Sequence, residues 1–255
     1  MSHPVAWIVG GVKGLGVPLI KGLAQDGYRI AMNYRKSRQA GEQIQQQLQQ
    51  SGTETLLMQG DISQVEDVKR MGDEIKQKWG RVDVLVCTAG PFIFKRTPIR
   101  ELTHQQWKDM VDGNLNSIFY IVHEILPLMR IQRYGRIITF GFPEVEQAPA
   151  WEGYGAYAAA KAGLVSLTRT LSREEAPHGI TVNMVYPGDI RDPYKEASIQ
   201  MAKGQIDPQS PVGRPGTGED ISRVVRFLAH PDSDFITGAM IPITGGFTNL
   251  QFHVK

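Results

Sequence analysis

One doubly wound α/β domain built on a parallel sheet is the fold class that this 255-residue sequence predicts. Three observations predict it. Short apolar strands alternate with helical patterns along the whole chain, the arrangement that folds as successive β–α–β units. Val82–Val86 reads as a strand buried on both faces, as in a sheet covered by helices on each side. No linker, repeat or low-complexity break divides the chain, so residues 1–255 read as one domain.

The first strand, Val5–Val9 (VAWIV), runs into GGVKGLG, Gly10 to Gly16, and Val17–Gln25 follows as a helix. Pro18 lies near its first turn, where a missing N–H costs little. Strand, glycine loop and helix in this order make a place for phosphate. Glycines let the backbone come close, and the helix start supplies unpaired N–H groups and positive potential. The spacing is GxxxGxG rather than GxGxxG, and a plain glycine-rich turn is the competing reading.

The second strand, Tyr28–Asn33, leads into Tyr34, Arg35 and Lys36. A binder of NAD(H) usually carries Asp or Glu about 20 residues beyond the glycines, to accept from the ribose 2′-hydroxyl. Cations stand there instead, and Lys13 lies inside the glycine loop. A 2′-phosphate needs cations and is repelled by a carboxylate, so NADP(H) is favoured, with Arg35 a stronger candidate than Lys36.

Ser37 is placed to cap a glutamine-rich helix with Ala40, Ile44 and Leu48 on one face. Leu56–Gln59 is a third strand, ending at Gly60, Asp61 and Ile62. Ser63 and Glu66 have capping-box spacing for a helix that turns Val65, Val68, Ile75 and Trp79 inward. Val82–Val86 runs into CTAG, Cys87 to Gly90. Thr103 and Gln106 form a second capping box, opening one long helix through Trp107, Val111, Leu115, Phe119 and Val122. Asn114 falls mid-helix, where an Asn is usually at the surface. Arg136–Phe140 is a fifth strand, followed by the loop Gly141–Gly153 and an alanine-rich helix. Thr181–Tyr186 is a sixth strand, ending at Pro187-Gly188. Asp189–Pro211 has mixed charge and no strong period, Gly218–Ala229 is a helix, and Ala239–Thr244 is the last strand.

The alanine-rich helix opens with YAAAK, Tyr157 to Lys161. Four residues of separation put the phenol and the ammonium on one helix face, a turn apart. A phenol titrating near ~10 is a poor proton donor or acceptor at neutral pH. A cation fixed beside it favours the phenolate and makes the group useful for acid–base work. The same pair also occurs as ordinary helix surface.

Composition narrows the partners. The formal net charge of +2 comes from scattered Lys and Arg among acids, which favours neither nucleic acid nor an anionic membrane. Cys87 is the only cysteine, so disulfides and thiolate metal sites within one chain are excluded, and the six His have no ligand-like spacing. No apolar run approaches spanning length, and the start of the chain lacks a signal-peptide pattern, so a cytoplasmic protein is expected.

Taken together, the chain resembles the short-chain dehydrogenase/reductase family over essentially its whole length. GGVKGLG is similar to that family's cofactor loop, with Val9 where a Thr is common. DVLVCTAG resembles its DxLVNNAG segment, with Cys87 and Thr88 replacing two Asn. Pro187-Gly188 and the closing RPGTGEDI…FLAHPDSDFITG…GG are also similar, and the overall flavour is that of 3-oxoacyl-carrier-protein reductases. The resemblance implies a Rossmann fold and hydride transfer between a nicotinamide and a carbonyl carbon. Tyr157 would donate the proton, Lys161 would lower its pKa and hold the nicotinamide ribose, and Asn114 would hold a relaying water. Gly10, Lys13, Gly14, Leu15, Gly16, Tyr34, Arg35, Asp61, Ile62, Ala89, Gly90, Pro187, Gly188 and Ile190 would line the NADP(H) site. Asp61 matches the acid that contacts adenine.

One departure bears on chemistry. The family's Ser, which hydrogen-bonds the substrate oxygen, normally closes the fifth strand, and Phe142 stands there. Losing one such donor typically costs ~10²–10³ in rate. Tyr154, Trp151 or a loop N–H could replace it, the substrate could need less polarisation, or the protein could bind NADP(H) and reduce little. Asp192 likewise stands where a cofactor-contacting Thr often lies. The substrate, a small carbonyl compound or acyl thioester, is expected between Pro91–Thr97, the Phe142–Gly153 loop and a segment at about 189–210, with Phe92, Phe142, Trp151 and Tyr154 as pocket candidates. Arg130, Arg133 and Arg136 are either a solvated helix end or a dock for an acidic carrier protein. By resemblance, a homotetramer or homodimer is expected.

Overall fold

The computed structural model describes residues 3–247. Its chain order is β1 (Val5–Val9), α1 (Gly16–Gln25), β2 (Arg29–Tyr34), α2 (Arg38–Gln50), β3 (Thr55–Gln59), α3 (Val65–Trp79) and β4 (Val84–Cys87) in the first half. The second half holds α4 (His104–Val111), α5 (Ser117–Gln132), β5 (Gly135–Phe140), α6 (Gly155–Glu175), β6 (Ile180–Pro187), α7 (Ile199–Ala202), α8 (Gly218–Ala229) and β7 (Met240–Ile243). The strands form one seven-stranded parallel sheet in the order β3-β2-β1-β4-β5-β6-β7. In register, Trp7 of β1 lies between Ala31 of β2 and Leu85 of β4.

Strand alternation divides the core in two. Val5, Trp7 and Val9 face one side with Leu85 and Ile137, under Val68 and Ile75 of α3, Ile121 and Ile125 of α5 and Leu164 of α6. Ala6 and Ile8 face the other side with Val86 and Ile138, under Leu19 and Leu23 of α1, Ile44 of α2 and Val225 of α8. The chain builds β1, β2 and β3 outward, then returns to lay β4 on the other side of β1. That reversal opens a crevice beyond the carboxyl ends of β1 and β4, the usual place for a ligand in such sheets.

Most expected elements are found within one or two residues. Val82–Val86 is the exception in kind. Asp83 interrupts it, the strand is Val84–Cys87, and the buried Asp83 carboxylate takes the Val5 N–H at 2.7 Å and both Arg81 forks. Neither Ser37 nor Ser63 caps a helix by its side chain. The Ser63 hydroxyl donates to Asp61 Oδ1 at 2.7 Å instead, which leaves α3 to start after Gln64 and Val65 48% exposed rather than inward. The Thr103–Gln106 capping box forms as expected.

The expected long helix is two helices joined by a π-helical segment, Asp112–Asn116. Trp107 and Phe119 lie on its exposed side, while Ile118, Val122 and Met129 face the core. Arg136 is only 2% exposed, inside β5, where it donates to the carbonyls of Gly179 and Pro231. Arg130 is forked onto Glu175. Those two are structural, so the carrier-protein dock is not built from Arg130, Arg133 and Arg136 together.

Beside its backbone ladder with β6, the last strand is tied at its entry by one side-chain amide. Asn183 of β6, 1% exposed, donates to the Ile236 carbonyl at 2.8 Å and accepts from the Ala239 N–H at 3.0 Å. Asn183→Ala removes both partners and strands two backbone groups. A loss of about 2–4 kcal/mol is expected. Urea denaturation checks this: the midpoint falls while the slope is kept. A midpoint within error of wild type would refute the clamp.

Candidate active site

The glycine loop is shaped by what its glycines lack. Gly10 has φ +75°, and a Cβ there would fall 2.4 Å from Ala89 Cβ. A Cβ on Gly16 would fall 2.3 Å from Gly11 Cα. The loop therefore folds back on itself and presses against the end of β4. Asn33, 3% exposed, ties it down: its Oδ1 accepts from Gly10 N–H at 3.1 Å and its Nδ2 donates to the Gly60 carbonyl. No sequence motif singled out Asn33. Its position at the end of the second strand was the only available signal.

At the far end of the groove, Arg35 and Asp61 border an open cavity of about 500 Å³. They pair with each other at 3.2 Å. Burial pushes the Asp61 carboxyl up, but the Ser63 N–H and hydroxyl and the Arg35 guanidinium outweigh it and hold the carboxyl below its ordinary value. Tyr34 and Ile62 are buried beside them, and Lys13 is exposed on the loop.

Tyr157 lies on the first turns of α6 and lines a second cavity of about 230 Å³. Leu15, Gly90, Asn114, Lys161, Pro187 and Gly188 line it too. The glycine loop, the helix pair and the β6 terminus thus share one cleft. Lys161, 4% exposed, donates to the Phe140 carbonyl at 2.8 Å, with its ammonium 5.7 Å from the centre of the Tyr157 ring.

Asn114 is not at the surface. It sits in the π-helical segment, 1% exposed, because Gly113 lets Pro91 pack close and the bulge turns the amide inward. Its Nδ2 donates to the carbonyls of Pro91 and Met110, and its buried Oδ1 has no partner among the described residues.

A family model described as enoyl-(acyl carrier protein) reductase matches residues 10–248. The chain belongs to the short-chain dehydrogenase/reductase family. A Bacillus subtilis protein provisionally named an oxidoreductase, YtkK, is 41% identical, over 96% of each chain. The 3-oxoacyl-[acyl-carrier-protein] reductase FabG of Staphylococcus epidermidis is 35% identical over 94% of this chain and 97% of its own. A solved Bacillus thuringiensis structure, described provisionally as a 3-oxoacyl-reductase, is 39% identical with a TM-score of 0.91, covering 96% of this chain and 98% of its own. This short-chain dehydrogenase/reductase is accordingly an oxidoreductase. Among its described residues no helix is long and apolar enough to cross a membrane, and no cluster of His, Cys, Asp and Glu could hold a metal ion.

Within that family frame, the wall opposite Tyr157 is aromatic. Phe142 is 4% exposed, its ring 5.8 Å from Tyr157 and 5.1 Å from Trp151. Phe92 meets Tyr157 edge-on at 4.9 Å. Phe92, Phe142 and Trp151 line this cleft, whereas Tyr154 lines a small neighbouring cavity that also touches Tyr157. The Tyr154 hydroxyl donates to the Phe94 carbonyl at 3.3 Å and its ring stacks on Phe92, which turns it away from the cleft. The Thr88 hydroxyl, which does reach the cleft, is spent on the Val9 carbonyl at 2.8 Å. The 189–210 segment walls a separate cavity of about 390 Å³ that meets the cleft at Gly188 and includes Ile190 and Asp192.

The expected lowering of the Tyr157 pKa is not what the cleft does. Burial pushes the phenol above its ordinary value, and the ammonium is turned toward the Phe140 carbonyl rather than held on the hydroxyl. Burial also pushes the Lys161 ammonium down to about 8, and the neighbouring Cys87 thiol up to about 12. The sign for stability follows. Between about 8 and the unfolded value near 10.5, the unfolded chain binds the extra Lys161 proton, so this lysine's contribution rises with pH there. Replacing it by Met removes that rise. From pH 7 to pH 9 the unfolding free energy of wild type should gain about 1 kcal/mol relative to Lys161→Met. Paired urea titrations at the two pH values measure it, and a constant difference contradicts the burial argument.

Proposed function

We propose that the protein reduces the carbonyl of a ketone or 3-oxoacyl thioester with a nicotinamide dinucleotide, NADP(H) in preference to NAD(H). The observation that carries this is the single cleft shared by Leu15 of the glycine loop and Tyr157 and Lys161 of α6. The names of the relatives support the substrate class: one FabG is a 3-oxoacyl-[acyl-carrier-protein] reductase, and a Cupriavidus necator relative, 30% identical, is an acetoacetyl-CoA reductase.

The chain's own groups fit such a cofactor. Gly10 and Gly16 let the loop close tightly on Ala89 and Gly11, while the Gly14 side of the turn stays open. The Gly14 N–H already holds a carboxylate oxygen at 2.7 Å, so the loop accepts an anion. Arg35 and Lys13 would face a 2′-phosphate and Asp61 the adenine. Lys161 would hold the nicotinamide ribose, with Pro187, Gly188 and Ile190 against the nicotinamide end. When bound, the reduced nicotinamide supplies the hydride to the carbonyl carbon.

Tyr157 then gives its proton to the carbonyl oxygen as the C=O π pair moves onto it, leaving an alcohol. A phenol kept protonated by burial suits that direction. The Asn114 Oδ1, unpartnered among the described residues, would take a hydrogen bond in the relay that restores the proton. Phe142 and Trp151 offer apolar surface to the carbonyl substituents and exclude water.

Two outcomes are expected. Tyr157→Phe loses at least about 10²-fold in kcat for NADPH-dependent ketone and 3-oxoacyl thioester reduction while binding NADPH within about threefold of wild type. Turnover untouched by the substitution removes the assignment; binding without any turnover in wild type favours a cofactor-binding module in which Phe142 has replaced the donor. Arg35→Ala weakens NADPH about tenfold and leaves NADH nearly unchanged. Wild type preferring NADH in titration would overturn the cofactor preference.

A further inference from the structure

The glycine loop makes one contact that phosphate binding does not require. The Gly14 N–H donates to Glu196 Oε1 at 2.7 Å, across 182 residues of sequence. Glu196 ends a short 3-10 turn, Tyr194–Glu196. The turn's backbone is seated on α8: a Cβ on Gly218 would fall 2.0 Å from the Lys195 carbonyl oxygen. Ala197 is buried, its carbonyl faces the Glu219 N–H at 3.4 Å, and Glu219 Oε2 accepts from the Ile199 N–H at 2.6 Å. Beside it the Lys195 stem passes 3.8 Å from where a Gly14 Cβ would stand. The exposed Glu196 side chain therefore reaches over the loop from a fixed backbone.

A carboxylate oxygen at that distance from a loop N–H makes the charge-assisted bond that a phosphate oxygen makes. We propose that Glu196 is a built-in competitor of the dinucleotide diphosphate for the Gly14 amide, and so sets the affinity of the cofactor site. This rests on the cofactor reading given above. One N–H cannot serve two anions well, and a carboxylate left beside a diphosphate repels it. Entry of the dinucleotide thus requires Glu196 to swing away. Only its side chain has to move, since α8 holds the backbone. The apparent affinity is the intrinsic one multiplied by the fraction of loops that Glu196 has left free.

Binding of NADPH, ADP and adenosine to wild type, Glu196→Gln and Glu196→Ala, measured by titration calorimetry, tests this. Both variants should bind NADPH and ADP about three- to tenfold tighter than wild type, with adenosine unchanged. Adenosine lacks the diphosphate, so a general change in the groove would move it as well. Unchanged or weaker NADPH and ADP binding overturns the proposal while leaving the cofactor reading intact, and so does equal tightening of all three ligands. If none of the three proteins binds NADPH or ADP, the cofactor reading itself falls, and the proposal with it.

Discussion

A buried ammonium holding a strand carbonyl is the contact on which the cleft depends. Lys161 Nζ meets the Phe140 carbonyl at 2.8 Å, and Phe140 is the last residue of β5. That bond fixes the phase of α6 against the sheet edge. With the phase fixed, Tyr157 stands one turn closer to the helix start, against the loop that leaves β5 at Gly141 and Phe142. The arrangement has an electrostatic cost, because burial pushes the ammonium down to about 8. A cation is tolerated there only because a carbonyl dipole accepts from it. The placing of Tyr157 and the anchoring of α6 therefore rest on one contact, and changing the lysine alters both.

The aromatic wall follows from the same geometry. Phe142 leaves β5 at the point where a hydroxyl would face Tyr157, and its ring instead packs on Trp151 and beside Tyr157. The loop carrying Trp151 is itself pinned from below. Val145 is buried, and the Tyr186 hydroxyl donates to Glu146 Oε1 at 2.8 Å. Glu144 and Ala148 accept left-handed backbone, with φ of 63° and 49°, to make the path. The loop thus presents apolar rings from a tethered base, and under the proposed reduction the polarising of a substrate oxygen would fall on Tyr157.

What could be read from the sequence was whatever local geometry dictates. The phenol–ammonium pair needs only helical spacing, and the glycine loop needs only backbone that approaches backbone, so both were legible. Helical spacing alone left the Asn114 amide outside, and only the family resemblance picked it out, because a π-helical bulge shifts the helix phase and turns it inward. Asn33 escaped because its work, joining the ends of β1, β2 and β3, is visible only once the strands are side by side. Ser63 looked like a cap, yet Asp61 two residues earlier competes for the same hydroxyl and wins it. Tyr154, expected at the pocket, lines a small cavity beside the cleft, with Phe92 stacked over it and its hydroxyl on the Phe94 carbonyl. Where local patterns mislead, a distant contact (Asn33), a nearer competitor (Ser63) or a change of helix phase (Asn114) has overridden them.

Charge along the groove is arranged in the same economical way. Arg35 is paired with Asp61, Lys195 with Asp192, and the Gly14 N–H with Glu196. These contacts lie at or near the surface, where such pairs are individually weak and screened by salt. A mononucleotide or free phosphate could claim one of them. A ligand with an adenine, a diphosphate and a second phosphate could exchange several at once, each protein group trading its internal partner for one on the ligand. Discrimination would then come from how many exchanges a ligand completes together, more than from excess positive charge. Under the proposed cofactor preference, a chain with a formal charge of only +2 would in this way select a polyanion.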